Sequence, residues 1–362
     1  FTFDINQNFK FFKETIFNNK ILVIGGAGTI GSSYLKQILK YKPSKITVVD
    51  INENGLAELT RDLRSSDLLD YNPEYITYPV NLLSDTFDKI FNSETWQVVA
   101  NFSAHKHVRS EKDKISVEAL IKNNVYGAMK LLNLCELSSP IYFFSVSTDK
   151  AANPVNIMGA SKSLMEKLIL SKQSEFRVST ARFANVAFSN GSLLDGFVHR
   201  INKKQPLSCP SDIKRFFVTP EQSGQICLLA TFLGKSGNIF FPKLAFHKDQ
   251  IYFKDIALDF LNENGFEPVL GSSEQEAKSF DIEGNPGKYP IYFFESDTSG
   301  EKTYEEFYTE EEDYVIDEFD SLGYIKTKEE PISFDEVINF FLANQIIASM
   351  LPIIFLQKKY LN

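Results

Sequence analysis

The segment Lys20–Ile24 (KILVI) followed by Gly25–Gly31 (GGAGTIG) constrains this chain more than any other feature. An apolar, β-branched run that ends in glycines reads as a buried strand turning sharply into a helix, here Thr29–Lys40. Gly25 permits the tight turn, Gly28 lets the backbone approach a pyrophosphate, and Gly31 allows close helix–strand contact. Thr29 and Ile30 open the helix, whose amino terminus offers N–H groups and partial positive charge to phosphates. The next strand, Lys45–Asp50 (KITVVD), ends on a carboxylate 19 residues after Gly31. An acidic side chain there accepts hydrogen bonds from the adenosine ribose and repels a 2′-phosphate. The pattern predicts a bound dinucleotide, NAD rather than NADP. Asp50 as a mere turn residue requires the glycine loop to be accidental as well.

The rest of the first half alternates strands and helices. Strands are expected at Tyr75–Val80, Gln97–Phe102, Ile141–Ser147 and Phe176–Arg182, with helices at Glu53–Ser65, Val117–Cys135 and Asn156–Ser171. This order predicts an α/β fold, a Rossmann-type doubly wound parallel sheet covered on both faces. Asn81 and Ala104, just past the third and fourth strands, join the glycine loop as expected cofactor contacts. After Asn185 the regularity breaks down, and Pro206, Pro210 and Pro220 punctuate the chain. A helix at Glu221–Leu233 and a strand at Asn238–Phe241 follow. The expected division is a nucleotide-binding domain over 1–185, with 235–262 returning to it, and a smaller substrate-binding lobe over 186–362.

Charge narrows the class. Lys and Arg number 38 against 47 Asp and Glu, a formal net charge of −9, which argues against nonspecific nucleic-acid or anionic-membrane binding. Three cysteines (Cys135, Cys209, Cys227) without C-x-x-C spacing fit a reducing, cytoplasmic setting. Val337–Leu356 is the most membrane-like stretch, but Asn339, Asn344, Gln345, Ser349 and Pro352 interrupt it. It is expected to be a C-terminal docking or oligomer helix. No metal site is expected.

A second chemical signal lies at the carboxyl end of the fifth strand. Ser147-Thr148-Asp149-Lys150 is followed by Met158-Gly159-Ala160-Ser161-Lys162, where ligands of such sheets bind. The whole stretch, STDKAANPVNIMGASKSLMEKLI, resembles the active-site segment of the extended short-chain dehydrogenase/reductases, specifically the nucleotide-sugar 4,6-dehydratases of bacterial polysaccharide biosynthesis. The likeness extends to NFSAHKHV (Asn101–Val108), NNVYGAMKLL (Asn123–Leu132), RFANVAFSNGS (Arg182–Ser192), RFFVT (Arg215–Thr219) and GEKTYEEF (Gly300–Phe307).

The resemblance implies a reaction in which NAD takes hydride from sugar carbon 4, water is eliminated across carbons 5 and 6, and hydride returns to carbon 6. It implies that Asp149 and Lys150 are the acid and base, that Thr148 bonds the 4-hydroxyl, and that Lys162 holds the nicotinamide ribose. Most short-chain dehydrogenases carry Tyr where this chain has Met158, one helical turn before Lys162. Met cannot accept a proton, although one branch of these dehydratases also has Met there. On the substrate side the resemblance implies Asn185, with Lys106 and His107 near the sugar. Arg215 and Lys243 suit the pyrophosphate, and Glu301 the uridine ribose. Thr298-Ser299 replaces the family's Arg-Pro before Gly-Glu-Lys, so that grip on the nucleotide is lost or supplied elsewhere. The acidic run after Glu301 is expected to be a solvated face. The resulting expectation is a homo-oligomeric enzyme dehydrating UDP-N-acetylglucosamine, without a membrane span. A UDP-sugar epimerase and a noncatalytic NAD-binding regulator are the alternatives.

Overall fold

The computed structural model describes residues 1–106, 111, 113–244, 248–296, 306–327, 332, 334, 336, 337 and 339. Two short helices, α1 (Thr2–Gln7) and α2 (Phe9–Ile16), precede the first strand. Then come β1 (Lys20–Ile24), α3 (Thr29–Leu39), β2 (Lys45–Asp50), α4 (Glu53–Arg64) and β3 (Glu74–Pro79). α5 (Asp85–Asn92), β4 (Val98–Asn101) and α6 (Lys114–Ile121) follow. A π-helical turn (Lys122–Tyr126) joins α6 to α7 (Gly127–Ser138), so the expected single helix over Val117–Cys135 is interrupted. β5 (Tyr142–Val146), a 3-10 turn (Asp149–Ala151), α8 (Ile157–Leu170) and β6 (Arg177–Ala181) complete the regular alternation.

Beyond it, β7 (Asn185–Val186), α9 (Leu193–Asn202), β8 (Leu207–Pro210) and β9 (Lys214–Val218) leave the large sheet, and α10 (Pro220–Phe232) and β10 (Asn238–Pro242) return to it. β11 (Gln250–Tyr252), α11 (Phe253–Glu263), β12 (Glu267–Leu270), α12 (Glu274–Ser279) and β13 (Lys288–Phe294) build the lobe. β14 (Tyr314–Val315) and β15 (Leu322–Lys326) close the described chain.

The nine-stranded sheet runs β14-β15-β10-β6-β5-β4-β1-β2-β3, and every pair from β10 to β3 is parallel. Its central strands are buried along almost their whole length because both faces are covered. Alternation then sends Ile21 and Val23 of β1 into one core, and Leu22 and Ile24 into the other. Two three-stranded sheets, β11-β9-β7 and β12-β13-β8, carry the lobe, whose own core holds Phe197, Leu207, Leu261 and Ile291.

The division of the chain differs from expectation, α10 having already returned to the large sheet. Residues 250–262 stay in the lobe as β11 and α11, while β15, from the part assigned to the lobe, lies antiparallel on β10. An added antiparallel strand covers what would otherwise be an open sheet edge. Of the C-terminal segment, Val337 is buried in the core that also holds Met129, Cys135 and Leu168, and Ile332 and Phe334 pack against the same core. Glu336 and Asn339 are exposed, and the rest lies outside the described residues. Among the described residues no helix is long and apolar enough to cross a membrane.

Candidate active site

The sheet order changes direction between β4 and β1, which opens a crevice at their carboxyl ends. The glycine loop fills one side of it. Gly25 has φ +74°, and its N–H donates to the Val49 carbonyl at 2.7 Å. A Cβ on Gly25 would stand 2.5 Å from the Ser103 nitrogen in the loop after β4. A Cβ on Gly31 would stand 2.5 Å from the Gly25 carbonyl oxygen, so α3 approaches the turn only because that residue is glycine. Gly28 caps α3 with no side-chain bond, which leaves the amino terminus at Thr29 and Ile30 without a side-chain acceptor.

Asp50 leans onto this loop. One carboxylate oxygen accepts the Ala27 N–H at 3.0 Å, and the other accepts the Asn52 N–H at 2.9 Å. Each oxygen retains a lone pair for a ribose hydroxyl. A groove of about 670 Å³, lined in part by Ala27, Asn52, Gly55 and Asn190, opens beside it. Asn81 stands exposed just past β3, its side-chain oxygen accepting the Leu83 N–H, and Ala104 lies in the loop after β4.

The Ser147–Lys150 stretch closes the crevice from β5. Thr148 donates to Asp149 Oδ1 at 2.6 Å, and Lys150 Nζ lies 3.2 Å from both Asp149 oxygens. Asp149 is only 4% exposed. The Ser147 and Asp149 N–H groups donate to the Ala181 and Phe183 carbonyls, which hold the stretch beside the end of β6. On α8, Lys162 is 3% exposed, and burial pushes its pKa down to about 8 against a partial counter-pull from Glu166. Its ammonium contacts the Val146 carbonyl at 3.2 Å and the Met165 sulfur at 3.6 Å. Three N–H donors face one strong and one weak acceptor, so this buried cation has capacity for a ligand oxygen. Met158 is buried among the apolar side chains on that face of the sheet and contributes no acid or base.

Three supporting groups received no role from the sequence, although Asn124 and Arg182 stand in segments that carry the resemblance. Glu111 receives the Ile157 and Met158 N–H groups at 3.1 and 2.6 Å, pinning the amino terminus of α8 with a carboxylate. Asn124, in the π turn, takes the His105 N–H and donates to the His105 carbonyl and to Ser161 Oγ. It thereby ties the loop after β4 to α8. Arg182 binds Glu166 and Glu312, so Glu312 of the acidic run is a partly buried ion-pair partner and departs from the expected solvated face.

The substrate-side residues are spread more widely. Lys106 donates to the Asn190 carbonyl at 2.8 Å; desolvation lowers its pKa, and Asp195 opposes that. Asn190 in turn donates its N–H to Thr29 Oγ1, so this loop bridges to the start of α3. Asn185 begins β7, which pairs with β9 carrying the buried Arg215. Arg215 donates to the Lys214 carbonyl at 2.8 Å. Lys243 donates to the Ile316 and Phe319 carbonyls at 3.0 and 2.7 Å, an engagement that fastens the 316–321 stretch. His107, Thr298, Ser299 and Glu301 lie outside the described residues.

The family model for polysaccharide biosynthesis protein matches residues 21–327, which takes in the glycine loop and the Ser147–Lys150 stretch. The chain belongs to that family. The resemblance read from the sequence is therefore correct at the family level. Among curated relatives of this polysaccharide biosynthesis family member, an uncharacterized membrane protein of Methanocaldococcus jannaschii is 32% identical over 83% of this chain and 84% of its own length. The capsular polysaccharide biosynthesis protein CapD of Staphylococcus aureus is 26% identical over 89% of this chain, which spans only 51% of that protein. A UDP-N-acetylglucosamine 4,6-dehydratase (inverting) of Campylobacter jejuni is 29% identical over 63% of this chain and 68% of its own. Among solved structures, a dTDP-glucose 4,6-dehydratase of Streptomyces venezuelae, with NAD and TYD bound, shares the fold. Its TM-score is 0.57 at 18% identity, over 75% of this chain and 88% of that one.

Proposed function

We propose that this chain is an NAD-dependent nucleotide-sugar 4,6-dehydratase acting on UDP-N-acetylglucosamine. The observation that carries the reading is the Thr148–Asp149–Lys150 cluster, built around the buried Asp149, at the mouth of a dinucleotide-shaped crevice. The crevice fits NAD on its own terms. The amino terminus of α3 would take the pyrophosphate, Asp50 the adenosine ribose, and the spare donor capacity of Lys162 the nicotinamide ribose. When bound, NAD accepts hydride from sugar carbon 4 and later supplies it to carbon 6.

The protein's part is proton handling and placement. Thr148 is held by Asp149 and can orient the 4-hydroxyl, whose proton would pass to water as hydride leaves carbon 4 and be regained from water when the acid is restored. Elimination requires a neutral amine to take the carbon-5 proton and a carboxylic acid to protonate the leaving hydroxide. The Asp149–Lys150 pair holds both forms within one proton transfer across 3.2 Å, with no net proton gained or lost. Exclusion of water when the sugar fills the pocket favours the neutral pair. An epimerase has no need of this acid–base pair, and the apolar burial of Met158 leaves the usual Tyr position without a proton acceptor.

One incubation with UDP-N-acetylglucosamine, read by mass spectrometry, separates the readings. Loss of one water is expected. Unchanged mass with altered stereochemistry would mean epimerisation, and unchanged substrate would mean a noncatalytic protein. A binding titration tests the cofactor separately. Asp50→Ala should weaken NAD and narrow the preference over NADP, because the ribose acceptor and the charge facing a 2′-phosphate both vanish. Unchanged affinity for both cofactors would remove Asp50 from the site.

A further inference from the structure

Arg182 directly follows β6, and all five of its N–H donors are taken. Nε and Nη2 bind Glu166 at 3.1 and 2.9 Å; Nη2 and Nη1 bind Glu312 at 2.8 and 2.9 Å. Nη1 also donates to the Phe307 carbonyl at 2.9 Å. Glu166 further accepts the Ser147 hydroxyl at 2.6 Å, next to Thr148. Glu166 stands one helical turn after Lys162, on the same face of α8. Two carboxylates around one guanidinium leave the trio one negative charge over, and from one turn away that charge opposes the depression of the Lys162 ammonium by burial.

Other charges on the elements packed against α8 occur largely as pairs. Asp149 pairs with Lys150, Lys122 with Glu118, Lys130 with Asp88, and Glu136 with Lys172. Arg177 of β6 is tied to the Phe232 and Gly234 carbonyls, and Tyr126 of the π turn is a neutral phenol. Lys114 and Lys167 are exposed, and Glu111 sits at the far amino terminus of the helix. A buried ion cluster is no better for stability than apolar side chains of similar volume. Its use therefore lies elsewhere.

We propose that Glu166, held by Arg182 and Ser147, is a positioning residue that keeps the Lys162 ammonium charged for the cofactor ribose, with Glu312 balancing Arg182. This rests on the reading of Lys162 as the ribose contact. The test is calorimetric titration of NAD⁺ into the wild type, Glu166→Gln and Glu312→Gln at about pH 7 and about pH 8.5. Glutamine preserves an acceptor for Ser147 and Arg182 while removing the charge. If Glu166→Gln lowers the Lys162 transition by about one pH unit, the ratio of its dissociation constant to that of the wild type is about 2 at about pH 7 and about 8 at about pH 8.5. Glu312→Gln, on the more exposed limb, should show the same trend more weakly, and it carries the test if Glu166→Gln does not fold. A ratio equal at both pH values in the folded variants marks a purely structural cluster and overturns the inference. If wild-type affinity is flat over this range and Lys162→Met binds NAD⁺ normally, the Lys162 reading itself fails and takes the inference with it.

Discussion

The double variant Asp149→Asn, Lys150→Ala should lose water elimination by on the order of 10²–10⁴ or more while still binding NAD, because it removes both the general acid and the general base. The two losses will not multiply, since both groups serve one step. The single variants separate the stages. Lys150→Ala blocks proton removal at carbon 5, which comes after oxidation at carbon 4. It should therefore accumulate reduced cofactor slowly on addition of sugar, visible in the nicotinamide absorbance band. Asp149→Asn retains an oxygen that can accept the Thr148 hydroxyl, so Thr148 stays oriented while the acid is gone. Near wild-type water release by the double variant would refute the assignment of both residues.

Lys162→Met should produce the second large effect, at least about a tenfold loss of NAD affinity at about pH 7, where a buried charged donor is removed from the ribose site. The same variant has a signature in stability. The Lys162 pKa is depressed in the fold, from 10.5 to about 8. Below about pH 8 the ammonium is protonated in both folded and unfolded chains, so its full burial penalty is present. Between about pH 8 and 10.5 the unfolded chain binds the extra proton, and stability rises with pH. For a wholly buried group the swing is on the order of 3 kcal/mol. Lys162→Met lacks that term. Urea midpoints at about pH 7 and about pH 9.5 should show the wild type gaining on the variant as pH rises. Parallel behaviour would mean that Lys162 is not desolvated. Comparing the two proteins cancels the opposing contribution of buried phenols such as Tyr34, whose pKa is raised.

What the sequence revealed depended on how local each signal was. The glycine loop, the carboxylate ending β2 and the alternation of strands with helices lie within short windows, and their physical consequences are local. The strand–loop–helix, the switch-point crevice and the Thr148–Lys150 cluster all stand where such patterns place them. The less legible parts depend on partners far along the chain. Asp4, near the start of the described chain, caps the Asp320 and Ser321 N–H groups, 316 and 317 residues away. Arg182 meets Glu312 across 130 residues, which no acidic run announces by itself. Lys243 suits a phosphate by its charge, but its bonds to the carbonyls of Ile316 and Phe319, more than 70 residues on, are invisible in the sequence. Likewise, nothing in KNNVY distinguishes a π turn from an α-helix until Asn124 finds His105 and Ser161.

The most direct measurement uses UDP-N-acetylglucosamine deuterated at sugar carbon 4, incubated with the wild type and read by mass spectrometry and NMR. The account predicts a product that has lost one water and carries the deuterium at carbon 6, because the hydride leaves carbon 4 and returns within the same site. A product of unchanged mass with deuterium at carbon 4, or substrate recovered intact, would contradict it.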